Sequence, residues 1–286
     1  MVLNCRFSLP LFCLLGCLNA QSQLTPDPVA PPNVVADQAS GTPQPESLTT
    51  ERAEYTMTAE VVGPGVFQAE TGLLLDSSSS VRLVQAPSPL VRLGLTRRLE
   101  LRFGGDGFLW QQPGSQANCP RISGLSDMGF EVKWKILDES GYSPALAIAP
   151  SISAPVGRPG FTSGSYNPTF KVAVTKSLRK GFRASGNLNV SSLTEDHSRF
   201  LQSAASLCME HNLPGGLVAF WENYDIWPTH YLGNRESFWN TGLFHALGRN
   251  MQIDIEVARN FASSTPPHWY LGAGFVIRRP HPLWAR

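Results

Sequence analysis

The chain has 286 residues, a formal net charge of +1 and a charged fraction of 16%, against an ordinary hydrophobic share of 42%. Roughly 25% charged would be usual for a soluble domain, so there is no basic footprint for nucleic acid, and 25 glycines with 23 prolines argue against a helical bundle or coiled coil. A disordered chain would carry fewer aliphatic and aromatic residues. What remains is a β-rich protein whose scarcity of charge needs a cause, and a lipid-facing surface is one.

Residues 1–20 read as an export signal, with Arg6 supplying the positive start and residues 7–18 an apolar run too short to span a bilayer. Cleavage after Ala20 is one reading. Leu14-Leu15-Gly16-Cys17 resembles a bacterial lipobox and gives a second, with lipid on Cys17. Residues 21–60 are expected to form a disordered leader, rich in Pro, Ser and Thr as far as about Thr50 and without periodicity. Beyond residue 20 no stretch approaches the ~18 apolar residues of a spanning helix. Cys119 and Cys208 lie outside the signal and are expected as unpaired thiols, Cys119 in an outer loop and Cys208 near the periplasmic end of its strand. No Cys/His spacing suits zinc, and neither a metal nor a cofactor is expected.

Residues 61–279 are expected to form the barrel; from about Val66 onward apolar and polar positions alternate, the pattern of strands wet on one side. Strands are expected near 66–75, 81–95, 98–110, 124–138, 143–156, 166–178, 182–192, 198–209, 216–227, 236–246, 251–261 and 268–279, with residues 280–286 left as a tail. In 251–261, Met251, Ile253, Ile255 and Val257 point one way while Gln252, Asp254 and Glu256 point the other. In 182–192, Leu188 and Val190 oppose Arg183, Asn187 and Asn189; in 129–137, Val132 and Trp134 oppose Glu131, Lys133 and Lys135. Tight connectors at 96–97, 139–142, 179–181, 210–215 and 247–250 alternate with mostly longer ones. The fold class is all-β: a single antiparallel up-and-down transmembrane β-barrel of about twelve strands, with even strand number and both barrel termini periplasmic.

Cost decides which face meets lipid. A mid-depth Arg or Lys on the lipid side costs roughly 2–4 kcal/mol, so the charged phase must turn inward. Glu70, Arg92, Glu100, Arg102, Glu131, Lys133, Lys135, Lys171, Arg183, Glu222, Asp254 and Glu256 are expected to line the lumen. Leu99, Leu101, Val132, Trp134, Leu188, Ile253 and Ile255 are expected to face lipid. The hairpin around Thr96 keeps Leu93 in phase with Leu99 and Leu101, which brings Arg92 opposite or diagonal to Glu100. Arg259 falls in the apolar phase, at a strand end where its side chain can reach headgroups or water. Trp110, Trp134, Trp221, Trp227, Trp239 and Trp269, with Tyr166, Tyr224, Tyr231 and Tyr270, sit in or at the ends of strands, as the aromatic girdles of such barrels do.

Several segments together carry a family resemblance: residues 65–72 (GVFQAETG), 88–103 (SPLVRLGLTRRLELRF), 124–137 (GLSDMGFEVKWKIL), 151–157 (SISAPVG) and 252–254 (QID). Their order and spacing resemble the outer-membrane transporter family labelled as the MetA pathway of phenol degradation, over roughly residues 60 to 279. The resemblance implies a porin-like barrel of the Gram-negative cell outer membrane that passes small solutes, aromatic or hydrophobic ones among them. It also implies inward-facing or turn-fixing roles for Arg92, Glu100, Asp127, Lys133 and Asp254, with Asp127 in a turn. The expected partners are outer-membrane lipid, the barrel assembly machinery and a small-molecule solute, with the barrel itself a monomer and no nucleic acid bound.

Other readings predict different features. An acyl-chain enzyme of the outer membrane would need a nucleophile–base pair, but residues 160–164 read GFTSG rather than G-x-S-x-G, and no H-E-x-x-H or P-loop occurs. No catalytic residue is therefore expected. A plugged structural barrel would carry the same alternation, and a soluble periplasmic β-barrel binder would reverse it.

Overall fold

The computed structural model describes residues 48–114, 120–229, 235–261 and 267–279. The expected signal at 1–20, the leader as far as residue 47, Tyr231, Cys119 and the tail at 280–286 lie outside the described residues. From residue 67 the alternating segments become strands: β1 (Phe67–Ser78), β2 (Val81–Gln85), β3 (Leu90–Gly94), β4 (Leu99–Gly105), β5 (Phe108–Pro113), β6 (Ile122–Leu125), β7 (Met128–Leu137) and β8 (Ala145–Ala154). They continue as β9 (Asn167–Ser177), β10 (Phe182–Glu195), β11 (Ser198–Asn212), β12 (Leu217–Pro228), β13 (Glu236–Ala246), β14 (Met251–Asn260) and β15 (His268–Arg279).

Every pairing is antiparallel, and β1 meets β15 along its whole length, from Phe67 opposite Arg279 to Ser78 opposite His268. Closure of this kind leaves no long free edge between first and last strand. The pairs β2/β3, β4/β5 and β6/β7 are halves of single staves, so the barrel has twelve. The expected unbroken strands over 81–95, 98–110 and 124–138 are each interrupted once. Pro87 and Pro89 lack the N–H a ladder needs, Gly107 adopts φ 72°, and Ser126 donates its backbone N–H to Gly107 rather than to a neighbouring strand. Strand β10 runs past its expected end to Glu195, where Asp196 and His197, at φ 47° and 66°, make a two-residue hairpin turn.

Short connectors at 95–98, 138–144, 178–181, 213–216 and 247–250 share one end of the barrel with the start of β1 and the finish of β15. Along β14, Gln252, Asp254, Glu256, Ala258 and Asn260 are buried while Met251, Ile253, Ile255, Val257 and Arg259 are exposed. The apolar row is outside, with Ile255 55% exposed, and the ionic row is inside, with Asp254 3% exposed.

What fills the inside is a departure from expectation. Residues 48–60 were to end a disordered leader; instead they run through the lumen, with Ala53, Thr56, Met57, Thr58 and Ala59 buried. Thr50 meets Gln252 and Val62 meets Glu100, both near the tight-turn end, while Tyr55 and Thr56 meet Glu222 further in. The segment is thus a re-entrant plug. It lacks a strand period because hydrogen bonds from the wall hold its backbone while Ala53, Tyr55, Met57 and Ala59 pack on apolar residues of several different strands, contacts that no periodicity reports. It leaves past Gly94, where a Cβ would stand 2.0 Å from the Gly63 carbonyl oxygen, so only glycine admits the crossing.

Candidate functional site

The lumen has two unlike walls. Strands β3, β4 and β7 place Arg92, Glu100, Arg102, Glu131 and Lys133 on the inner face, because each lies two residues from the next inward position of its strand. Arg92 pairs across the sheet with Arg102, so its neighbour Glu100 lies on the diagonal. There Arg92 donates from Nε to Glu100 Oε1 at 2.6 Å and from Nη2 to Oε2 at 3.0 Å, a bidentate contact. Its Nη1 donates to Glu70 Oε1 at 3.1 Å and to the Thr49 carbonyl at 2.8 Å. Arg102 donates to Glu131, whose other oxygen lies 2.7 Å from Lys171 Nζ. This is a buried network in which most cations have a carboxylate from the same wall.

The facing wall, from β12 to β14, carries Glu222, Asp254 and Glu256 with Asn240. Its partners come largely from the plug. Glu222 accepts from Tyr55 N at 2.7 Å, Thr56 N at 3.0 Å and Thr56 Oγ1 at 2.8 Å, and from the wall amide Asn240 Nδ2 at 2.8 Å. Arg52 Nε stands 3.6 Å from Asp254 Oδ1. The Arg52 guanidinium lies over the facing pair Gly72 and Gly274, where a Cβ at Gly72 would come within 2.2 Å of it. Larger residues there would expel the arginine.

Between the walls the plug is held like an extended ligand. Met57 donates to Asn187 Oδ1 and accepts from Asn187 Nδ2, both at 2.7 Å; Ala59 N donates to Thr175 Oγ1 at 2.8 Å. Lys135 Nζ meets Glu60 at 2.7 Å. Glu54 accepts from Cys208 Sγ at 3.1 Å, which sets the buried free thiol against the plug at the level of its cross-strand partner Glu222, deeper than the strand end where it is expected. Toward the opposite end the lumen is aromatic: Tyr55 stacks on Tyr224 at 4.3 Å, Tyr224 on Phe238 at 5.0 Å, and the Tyr224 and Tyr270 hydroxyls are 3.0 Å apart. His268 lies 2.7 Å from Asp76 beside this cluster.

The structure brings Glu70, Arg92, Glu100, Arg102, Glu131, Lys133 and Lys171 into one network. Glu222, Asp254 and Glu256 lie apart from it, and Arg183 forms its own pair with Glu210 at 2.6 Å. Lys135 joins the plug and Asp138 instead. Asp127, at the break between β6 and β7, accepts from Gly157 N, Ser163 N and Ser163 Oγ and ties a long loop to the wall. Trp134, Leu188, Ile253 and Ile255 are exposed on the outer face; Leu99, Leu101 and Val132 are half-buried there. Tyr224 and Tyr270 do not join Trp110, Trp134, Trp221 and Trp269 outside, because Tyr224 shares the phase of Glu222 and Tyr270 that of His268. Glu51, Arg52, Glu54, Tyr55 and Glu60 escaped sequence reasoning. Their signal is the run ERAEYTMTAE, whose charge density breaks from the Pro/Ser/Gln-rich stretch before it.

Residues 50–278 match the family described as "Putative MetA-pathway of phenol degradation", and the chain belongs to that family. The match starts at residue 50, within the plug. No curated protein matches. Among solved structures, an outer membrane channel from Pseudomonas putida F1 is similar at 13% identity and TM-score 0.59, covering 77% of this chain and 98% of that one. The NanC porin is similar at 9% identity and TM-score 0.53, covering 73% and 98%. At these identities the likeness is one of fold.

Proposed function

We propose that this chain is an outer-membrane channel for small solutes, aromatic or hydrophobic ones among them, held closed at rest by residues 48–62. The observation that carries the reading is the division of the barrel into an apolar exterior and an ionic lumen, with Trp134 and Ile255 more than half exposed while Arg92, Glu100 and Glu222 are fully buried. A soluble barrel would gain nothing from that inversion, whereas in lipid each mid-depth Arg or Lys turned inward avoids a cost of roughly 2–4 kcal/mol and each carboxylate a smaller one. The family membership and the likeness to a channel and a porin support it. The tight-turn end, with both barrel termini, faces the periplasm in this reading, and the plug is reached from that side. Outer-membrane lipid covers the exterior, the barrel assembly machinery inserts the chain as a monomer, and the work is passage without bond chemistry.

Twelve staves enclose a lumen between the side-chain-filled eight-stranded barrels and the aqueous sixteen-stranded porins. The segment is held by hydrogen bonds, ion pairs and the apolar contacts of Ala53, Tyr55, Met57 and Ala59, none of them a strand ladder, so it is suited to leave and return without opening the barrel. The test is conductance of heat-modifiable protein in planar bilayers. Brief openings that lengthen when the plug is weakened are the expected result. A silent barrel in which loss of the plug changes nothing would make it a structural element.

A further inference from the structure

The network of seven barrel residues holds one more positive charge than its own carboxylates answer. Arg92, Arg102, Lys133 and Lys171 face Glu70, Glu100 and Glu131, and the balancing charge is Glu51, brought in by the plug. Lys133 is completely buried, and among the described residues its ion pair is with Glu51, at 2.7 Å. The two arginines meet Glu51 at 3.6 and 3.8 Å, beyond hydrogen-bond length. Among the described residues, Glu51 Oε2 and Arg102 Nε are both buried without a hydrogen bond. The tethered carboxylate thus satisfies Lys133 but leaves Arg102 Nε and its own second oxygen unmatched, an arrangement that leaves free energy for a better-placed anion to recover.

We propose that Arg92, Arg102 and Lys133 form a carboxylate-binding site in the lumen, occupied in cis by Glu51 at rest and taken by the carboxylate of a small solute when the plug moves aside. The proposal rests on the channel reading and adds the solute's chemical class. Glu51 is an internal competitor, and a tether of a few residues gives it an effective concentration on the order of millimolar. Free carboxylates therefore bind the resting protein weakly. Removing the competitor exposes a site with a surplus positive charge inside a wall that excludes bulk water, where charge–charge attraction is strongest.

The experiment is calorimetric titration of the full chain in detergent with benzoate, and with benzamide as the neutral counterpart. Glu51→Gln is expected to bind benzoate at least about tenfold tighter than the unsubstituted chain, with benzamide unchanged. The Glu51→Gln/Lys133→Gln pair, which removes anion and cation together and leaves no orphaned buried charge, is expected to lose that gain. Equal benzoate binding in the single variant and the unsubstituted chain, retention of the gain in the double variant, or a matching gain for benzamide would each overturn the site. Should Glu51→Gln fail to fold, Glu51→Ala refolded in acetate or in chloride of equal ionic strength decides the matter: acetate alone restoring the heat-modifiable barrel supports the site, and no difference between the salts rejects it. Binding is read without current, so a silent barrel that still gains benzoate affinity sinks the channel and spares the site. A conducting barrel without the gain does the reverse.

Discussion

The two walls of the lumen solve the burial of charge in opposite ways. On β3, β4 and β7 the arginines find carboxylates on the same or the adjoining strand, and the network closes almost entirely within the wall. On β12 to β14 the carboxylates have no arginine of their own wall, and Glu222 takes its hydrogen bonds from the plug backbone and Asn240. On one wall the arginines keep their carboxylates without the plug, while Lys133 and Lys135 take partners from it; the other wall is finished by the plug. A removable segment can therefore close the lumen while the barrel stays intact, because its departure uncovers hydratable carboxylates on one side and leaves the arginine pairs standing on the other.

That contrast can be broken experimentally. The largest effect is expected from a chain that lacks residues 48–62: single-channel conductance should rise severalfold, and an unchanged conductance would mean that the segment does not close the path. Next comes Arg92→Leu, which strands Glu70 and Glu100 in the wall and should cost about 3–5 kcal/mol in denaturant midpoint measurements. The loss should persist in the plugless chain; if it disappears there, the basic wall is not self-sufficient. Glu222→Gln turns an amide donor toward the N–H groups of the plug and should cost about 2–3 kcal/mol, but only while the plug is present. A double-mutant cycle with the deletion reads that coupling, and additivity of the two changes would dissolve the distinction between the walls.

The smallest effect lies outside both walls. Glu139, in a tight turn, accepts from Lys176 Nζ at 2.8 Å and from Ser177 N and Oγ, and the Lys176 hydrogen bond holds its carboxyl below the usual value of 4.5. Because the folded form binds this proton less readily than the unfolded chain, its stabilisation is full above that value and fades as pH falls through it. Glu139→Gln should shift stability by under about 1 kcal/mol near neutral pH and by nothing at low pH, as thermal melts across pH would record. A shift of the size seen at Glu222 would mean that the turns, rather than the lumen, set the stability of the barrel.

Much of the wall was readable before any coordinates. Arg92, Glu100, Arg102 and Lys133 share a phase opposite to Leu99, Leu101 and Trp134, and a lipid solvent permits that phase to face one way only. The same parity brings Arg92 opposite or diagonal to Glu100, and the observed register, with Arg92 across from Arg102, makes the contact diagonal. Tyr224 and Tyr270 show the rule neglected: both were grouped with the girdle by residue type, though their phase with Glu222 and His268 turns them inward. The breaks at residues 86–89 and 106–107 were marked by Pro87, Pro89 and Gly107, which a reading by alternation alone passed over.

Alternation along a strand is a local property, so the chain carried its class, its approximate strand number and its inside and outside in the order of its residues. Residues 48–62 have no such period. Their place depends on Asn187, Thr175, Glu222 and Glu100, which lie between 38 and 167 residues away along the chain and converge only after β15 has met β1. A segment whose hydrogen bonds and apolar contacts are made mainly with separate strands of the wall has no fold apart from the surface that receives it, and closure of the barrel is what creates that surface.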